Sequence, residues 1–267
     1  MLKDRKTIRK YSNTDVPAEL LNRLLAESFR SSTMGGMQLY SVVVTRDQTK
    51  KQELSPAHFN QPMIKEAPVV LTFCADFHRF SLWCKQRKAE PGYNNLMSFY
   101  NASMDTLLVA QSFSLLAEEA GMGLCYLGST TYNPQQIIDI LHLPELVFPV
   151  TTITVGYPAE NPKQQDRLPA TGLIHEESYH EYSSSDIDTL YKEKEAIQEN
   201  IQFIKENNKE TLAQVFTDVR YKKEDNIVMH NLMKPYTSAT RCTIVSALIM
   251  PASILHLLYG AMVRKKR

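Results

Sequence analysis

A chain of 267 residues, 43% hydrophobic and 22% charged, can bury a sizeable core and is too apolar to be disordered. Thirty Lys and Arg against 29 Asp and Glu leave a net charge of +1. That gives no global field to gather a nucleic-acid backbone, so no nucleic-acid partner is expected. The four cysteines, Cys74, Cys84, Cys125 and Cys242, contain no Cys-x-x-Cys pair. This argues against a zinc site and a secreted disulfide framework, and fits a reducing cytoplasm. The charged opening Met1 to Lys6 has no apolar h-region, so a cytoplasmic location is expected.

Along the chain, Thr14 or Asp15 is expected to cap a helix that Pro17 initiates, with Leu20, Leu21, Leu24, Leu25, Ser28 and Phe29 as its buried stripe. Residues 31–36 end it in a loop of small side chains. The short β-branched runs 39–45 and 68–74 read as buried strands. Residues 101–120 are apolar nearly all round and stop at Gly121, as a central buried helix would. A third strand is expected at 123–128, then a helix capped by Asn133-Pro134 with Ile137, Ile138 and Leu141 inward, then a fourth strand at 149–155. Strands interleaved with helices, with no convincing linker before about residue 160, indicate one α+β or α/β domain. After a polar crossing at 161–171, Ser185 can cap a helix over 186–207. Its apolar positions Ile187, Leu190, Ile197, Ile201 and Ile204 form a thin stripe that needs another surface. Residues 242–263 are 22 positions without formal charge, bounded by Arg241 and by Arg264-Lys265-Lys266-Arg267. They are long enough to span a bilayer and the only route to one, though Pro251, His256 and nearby hydroxyls weaken insertion.

There is no G-x-S-x-G elbow, no G-x-x-x-x-G-K-[ST] loop and no H-E-x-x-H helix. Gly121, Gly123 and Gly128 follow a helix, the wrong way round for a dinucleotide fingerprint. His175-Glu176-Glu177 with His180 fits no usual ligand spacing, so no metal is expected. What remains is a scattered set of cationic and amide side chains, of which the basic opening taken alone reads as a solvated surface.

Their order says more. Lys6-Thr7-Ile8-Arg9-Lys10-Tyr11 is followed by the loop Ser31-Ser32-Thr33-Met34-Gly35-Gly36-Met37-Gln38, then Ala120-Gly121-Met122-Gly123-Leu124-Cys125-Tyr126-Leu127-Gly128, then Gly156-Tyr157-Pro158-Ala159-Glu160-Asn161-Pro162 and Asp166-Arg167-Leu168-Pro169. This succession resembles the FMN-dependent nitroreductase family, closest to its oxygen-insensitive nitroreductase and flavin reductase branch. The likeness runs from about residue 3 to about residue 226.

The resemblance implies an α+β fold with a central mixed β-sheet flanked by helices and FMN at a homodimer interface. It implies that Arg9, with its bidentate fork, holds the FMN phosphate, that Lys6 and Thr7 touch phosphate and ribityl chain, and that Arg167 is a second cation at the flavin tail. Thr33, Gly35 and Gln38 correspond to a loop against the isoalloxazine, and Gln61 to an amide on its pyrimidine ring. Tyr126, Leu127, Gly128 and Ser129 match a strand end passing close to the flavin, where glycine permits backbone approach. The branch prefers His-Arg-Ser where Arg5-Lys6-Thr7 stands, and a lysine where Gln165 stands.

The implied chemistry is ping-pong: hydride from NADPH or NADH to the flavin N5, then electrons to a small flat acceptor such as a nitroaromatic, a quinone or free flavin. No protein acid, base or nucleophile is required. A nitroreductase-like domain over 1–226 is then expected, with 227–267 as a dimer arm, a tail anchor or the product of an altered reading frame. Two alternatives stand beside this. One is a dehalogenating or flavin-fragmenting enzyme on the same scaffold, with residues 81–97 as its lid; the other is a membrane-tethered interaction protein.

Overall fold

The computed structural model describes residues 2–224 and residue 227. Apart from residue 227, the segment 227–267 with its three readings, including the apolar run at 242–263, lies outside the described residues.

The first helix, α1 (Ala18–Ser28), begins after Pro17, and neither Thr14 nor Asp15 caps it. Asp15 instead accepts the backbone N–H of Val16. As the periodicity predicts, Leu21, Leu24, Leu25 and Ser28 are buried, with Leu20 and Phe29 at the margin. The strands are β1 (Tyr40–Thr45), β2 (Val69–Asp76), β3 (Gly123–Leu127) and β4 (Val147–Gly156), in the order β1-β2-β4-β3.

The α+β class holds, but the sheet, expected to be mixed, is antiparallel at all three described pairings. The reason is topological. The strands β2 and β3 run parallel to one another across a long helical crossover, yet β4 inserts between them, so among the described strands no parallel neighbours share hydrogen bonds. Lying centrally, β2 is buried at all eight positions and β4 at nine of ten, which is why both read as apolar runs rather than alternations.

Helices cover both faces. On one, α1 and the 24-residue α5 (Leu96–Glu119) pack Leu21, Leu24, Val109 and Phe113 against Leu71, Phe73, Leu124 and Ile153. On the other, α2 (Gln48–Leu54), α3 (Pro62–Glu66) and α6 (Pro134–Leu141) bring Leu54, Ile64 and Ile137 onto Val70 and Leu127. Helix α5 begins five residues earlier than expected because Asn95 accepts the Ser98 N–H and caps it. It is not buried all round: Leu107 and Leu108 are 48% and 49% exposed, since the sheet covers only one face. The segment considered as a lid divides between α4 (His78–Gln86), a connecting loop and the first turn of α5. Asn133 stands at the start of α6 but donates its amide to the Ala57 carbonyl instead of capping.

The single helix expected over 186–207 is two: α7 (Ser184–Ala196) and α8 (Gln198–Glu206), broken at Ile197, which is extended. Asn200 supports the break by donating its side-chain amide to the Lys194 carbonyl at 2.7 Å, satisfying a helix-end acceptor. Ser183, not Ser185, caps α7, in a reciprocal box with Asp186. A short α9 (Leu212–Val215) follows.

Candidate functional site

The amino-terminal segment lies along the edge of the sheet. Ile8 donates its N–H to the Leu124 carbonyl at 3.0 Å and covers Gly123, where a Cβ would meet Ile8 at 2.5 Å. With Ile8 turned inward, Arg5, Thr7 and Arg9 share one side, and all three line an open cleft of about 430 Å³. Gln111 from α5, Tyr126 from β3 and Arg167 complete its walls. Lys6 has the opposite parity and does not line the cleft; its Nζ donates to Asn161 Oδ1 at 2.7 Å.

The cations are not equivalent. Arg5 is ion-paired through Nε to Glu118 Oε1 at 3.3 Å, and burial raises the pKa of the Glu118 carboxyl while Arg5 opposes that rise. Its charge is thus partly spoken for, and a bound anion would draw mainly on Arg9 and Arg167. Arg167 is exposed and donates Nη1 to the Asp166 carbonyl at 2.8 Å, while Gln165 is exposed and off the cleft wall. Tyr126, whose phenol is pushed up by burial, accepts from Ser114 Oγ at 2.9 Å and donates to Gln111 Oε1 at 3.4 Å.

At the other end of β3, the Leu127 side chain is core, so only its backbone can serve a ligand. Gly128 has an ordinary φ and no atom of the described chain within 4 Å of an added Cβ. The space beside it is open. Next to it Ser129 Oγ accepts from Gln61 Nε2 at 3.1 Å and lies 3.0 Å from His58 Nδ1.

The third group is the turn Met34–Gly36 and its flanks. Thr33 Oγ1 donates to Asp105 Oδ2 at 2.5 Å, and Asp105 also accepts the N–H groups of Met34 and Leu39. Gly35, Gly36 and Gln38 have φ of 54°, 69° and 52°. The glycines take the left-handed region at little cost; Gln38 is held there by its N–H to Thr33 Oγ1 and by Arg79, which donates to its carbonyl. Among the described residues, no hydrogen bond joins this loop to either of the other two groups.

Sequence reasoning missed Gln111, Asp105 and His58. For Asp105 a signal was present, because a lone carboxylate inside an otherwise apolar helix is buried only when partnered. For Gln111 and His58 there was none.

The antiparallel α+β scaffold thus carries an open cationic cleft, and β3 runs into a glycine. The Nitroreductase family profile matches residues 2–157. A relative from Bacillus subtilis (strain 168), named FMN reductase [NAD(P)H], is 32% identical over 182 residues, covering 67% of this chain and 72% of that one. The chain belongs to the nitroreductase family. A solved structure from Bacteroides fragilis NCTC 9343, assigned as an oxidoreductase, superposes with a TM-score of 0.87 at 68% identity, covering 89% of this chain and 99% of the other. The NfrA1 nitroreductase of B. subtilis, at 24% identity, shares the fold with a TM-score of 0.79 over 90% of this chain and 98% of its own.

Proposed function

We propose that this protein is an FMN-dependent oxidoreductase that takes electrons from NADPH or NADH and delivers them to nitroaromatics, quinones or flavins by a ping-pong mechanism. The observation that carries the reading is the convergence of Arg5, Thr7, Arg9 and Arg167 from distant parts of the sequence on one cleft. It is supported by the family and by the B. subtilis relative, whose name states FMN reduction with NAD(P)H.

The residues fit FMN. Guanidinium groups with a hydroxyl between them suit a phosphate monoester, and Gly128 leaves open space at the strand end. Arg9 and Arg167 would hold the phosphate, with Thr7 beside it, and Gln61 and Ser129 the pyrimidine ring. Bound FMN would supply the redox chemistry, and the chain would supply position, charge and exclusion of water. Dehalogenating, flavin-fragmenting and membrane-tethered readings are not favoured by these relatives.

The working unit we infer is a homodimer. Met97, Tyr100, Leu107 and Leu108 are exposed apolar side chains that fall on one side of α5. Helices α7 and α8 bury no residue, and the loop at 33–38 is left apart from the other two groups, as in a site built from two subunits. We assign residues 1–226 to the nitroreductase-like domain and place the protein in the cytoplasm; among the described residues no helix is long and apolar enough to cross a membrane.

The purified protein is expected to carry about one FMN per subunit, to sediment near twice 30.5 kDa, and to oxidise NADPH or NADH when given a quinone or nitro compound. Colourless protein that takes up no added FMN would overturn the reading.

A further inference from the structure

His58 is fully buried, and the proposed chemistry makes no use of it. Its Nδ1 lies 3.0 Å from Ser129 Oγ, and its Nε2 has no hydrogen-bond partner among the described residues. Ser129 Oγ also accepts from Gln61 Nε2 at 3.1 Å. Two tautomers are open to a neutral imidazole, and they give the serine opposite roles. With the proton on Nε2, a buried N–H would have no acceptor and the Ser129 hydroxyl would spend its own proton on Nδ1. With the proton on Nδ1, the orphan at Nε2 is only a lone pair, and both lone pairs of Ser129 are filled, one by His58 and one by Gln61. A buried donor without a partner carries the larger desolvation cost, which favours the second arrangement.

We propose that His58 is a positioning residue: as the Nδ1–H tautomer it donates to Ser129 and thereby fixes Ser129 O–H as a donor and Gln61 Oε1 as an acceptor toward the ligand. The amide of Gln61 is oriented by the same bond, since its Nε2 is committed to Ser129. A donor beside an acceptor is the complement of an imide edge, in which a C=O stands next to an N–H, and the pyrimidine ring of a flavin presents such an edge. The inference rests on the FMN reading above and says how that end of the flavin is recognised. Burial holds the imidazole neutral, pushing its pKa down to about 4, so the arrangement persists at working pH.

The test begins with the unaltered FMN-loaded protein. Long-range 1H–15N NMR of 15N-histidine-labelled protein, with the His58 signals identified by their absence in His58→Asn, is expected to show a protonated Nδ1 and a bare Nε2. A protonated Nε2 overturns the proposal. In FMN titrations, His58→Leu is expected to bind about tenfold more weakly, and His58→Asn, whose amide can donate from the Nδ1 position, to recover to within about threefold. N3-methyl FMN, which lacks the imide N–H, is the second probe. The unaltered protein is expected to bind it at least about tenfold more weakly than FMN, and His58→Leu to discriminate less because its Gln61 amide can turn. A folded His58→Leu with unchanged FMN affinity and unchanged discrimination removes the role of His58 and leaves the FMN reading standing. Failure of the unaltered protein to bind FMN removes both. If His58→Leu does not fold, the tautomer decides alone.

Discussion

The central strands and the helical arm after residue 183 show two ways of using apolar residues. In β2 every side chain is buried, and the sheet is closed on both faces by the chain's own helices. In α7 and α8 no residue is buried, and Ile187 and Tyr191 stand 41% and 37% exposed. The first region supplies its own stability. The second has an amphipathic pattern that its own neighbours only half cover, Leu190 against Gly172 and α8 against α9, so the part left exposed points to a partner rather than to a core.

The contrast can be broken most directly by truncation. Phe113, fully buried with its ring centroid 6.0 Å from that of Phe73, should cost about 3–5 kcal/mol as Phe113→Ala in denaturant unfolding. Ile187→Ala should stay within about 0.5 kcal/mol in the same experiment. Comparable losses would mean the arm is as self-sufficient as the sheet.

A titration probes the same interior. His58 is held near a pKa of about 4 against an ordinary 6.5, because burial disfavours the imidazolium. Between these values the unfolded chain binds the extra proton and the folded one does not, so its contribution to stability is complete above about pH 6.5 and is lost as pH falls toward 4. The expected loss is about 3 kcal/mol, and His58→Leu should flatten that part of the stability profile. An unchanged slope would place His58 in contact with water.

At the boundary of the two regions, Arg9→Ala and Arg167→Ala should each weaken FMN binding by about 1.5–3 kcal/mol, roughly tenfold or more, measured by fluorescence titration. If only Arg9→Ala does so, the crossing segment after β4 is not part of the site. A smaller, local effect is expected inside the arm. Ser183→Ala removes the capping box of α7 at about 1 kcal/mol, seen as faster hydrogen exchange in its first turn with the sheet unchanged. Faster exchange across β2 and β4 as well would show that the arm is coupled to the core.

The strands and the long helices were legible because their periods are strong and their lengths decisive. The polar, seven- and five-residue helices α2 and α3 were not, since neither length nor moment separates such segments from loops. The break at Ile197 carries no Gly or Pro, and an amide three residues on stabilises it, so the stripe read straight through it. Strand direction was illegible for another reason: the order in which strands sit beside one another is a property of the whole chain. In the site, Arg5, Thr7, Arg9, Tyr126 and Arg167 share one cleft, whereas Lys6 and Gln165 point elsewhere, because alternate side chains of a segment cannot all face one ligand. Asp105 and His58 act on other residues, and no motif names a residue for what it holds in place.

The way the amino-terminal segment is fastened has a consequence for biosynthesis. Glu160 accepts the N–H groups of Arg9 and Lys10 at 2.6 and 3.0 Å, Asn161 takes Lys6, and Gln164 donates to the carbonyls of Lys3 and Arg5. Every one of these fasteners is translated at least 150 residues after the segment it fastens. At about 5–20 residues per second, the basic opening emerges from the ribosome on the order of ten seconds before the side chains that dock it. Such long-range closure is slow to form. The cleft proposed for the phosphate is therefore among the last parts of this domain to be assembled, and capture of FMN there would belong to the close of folding.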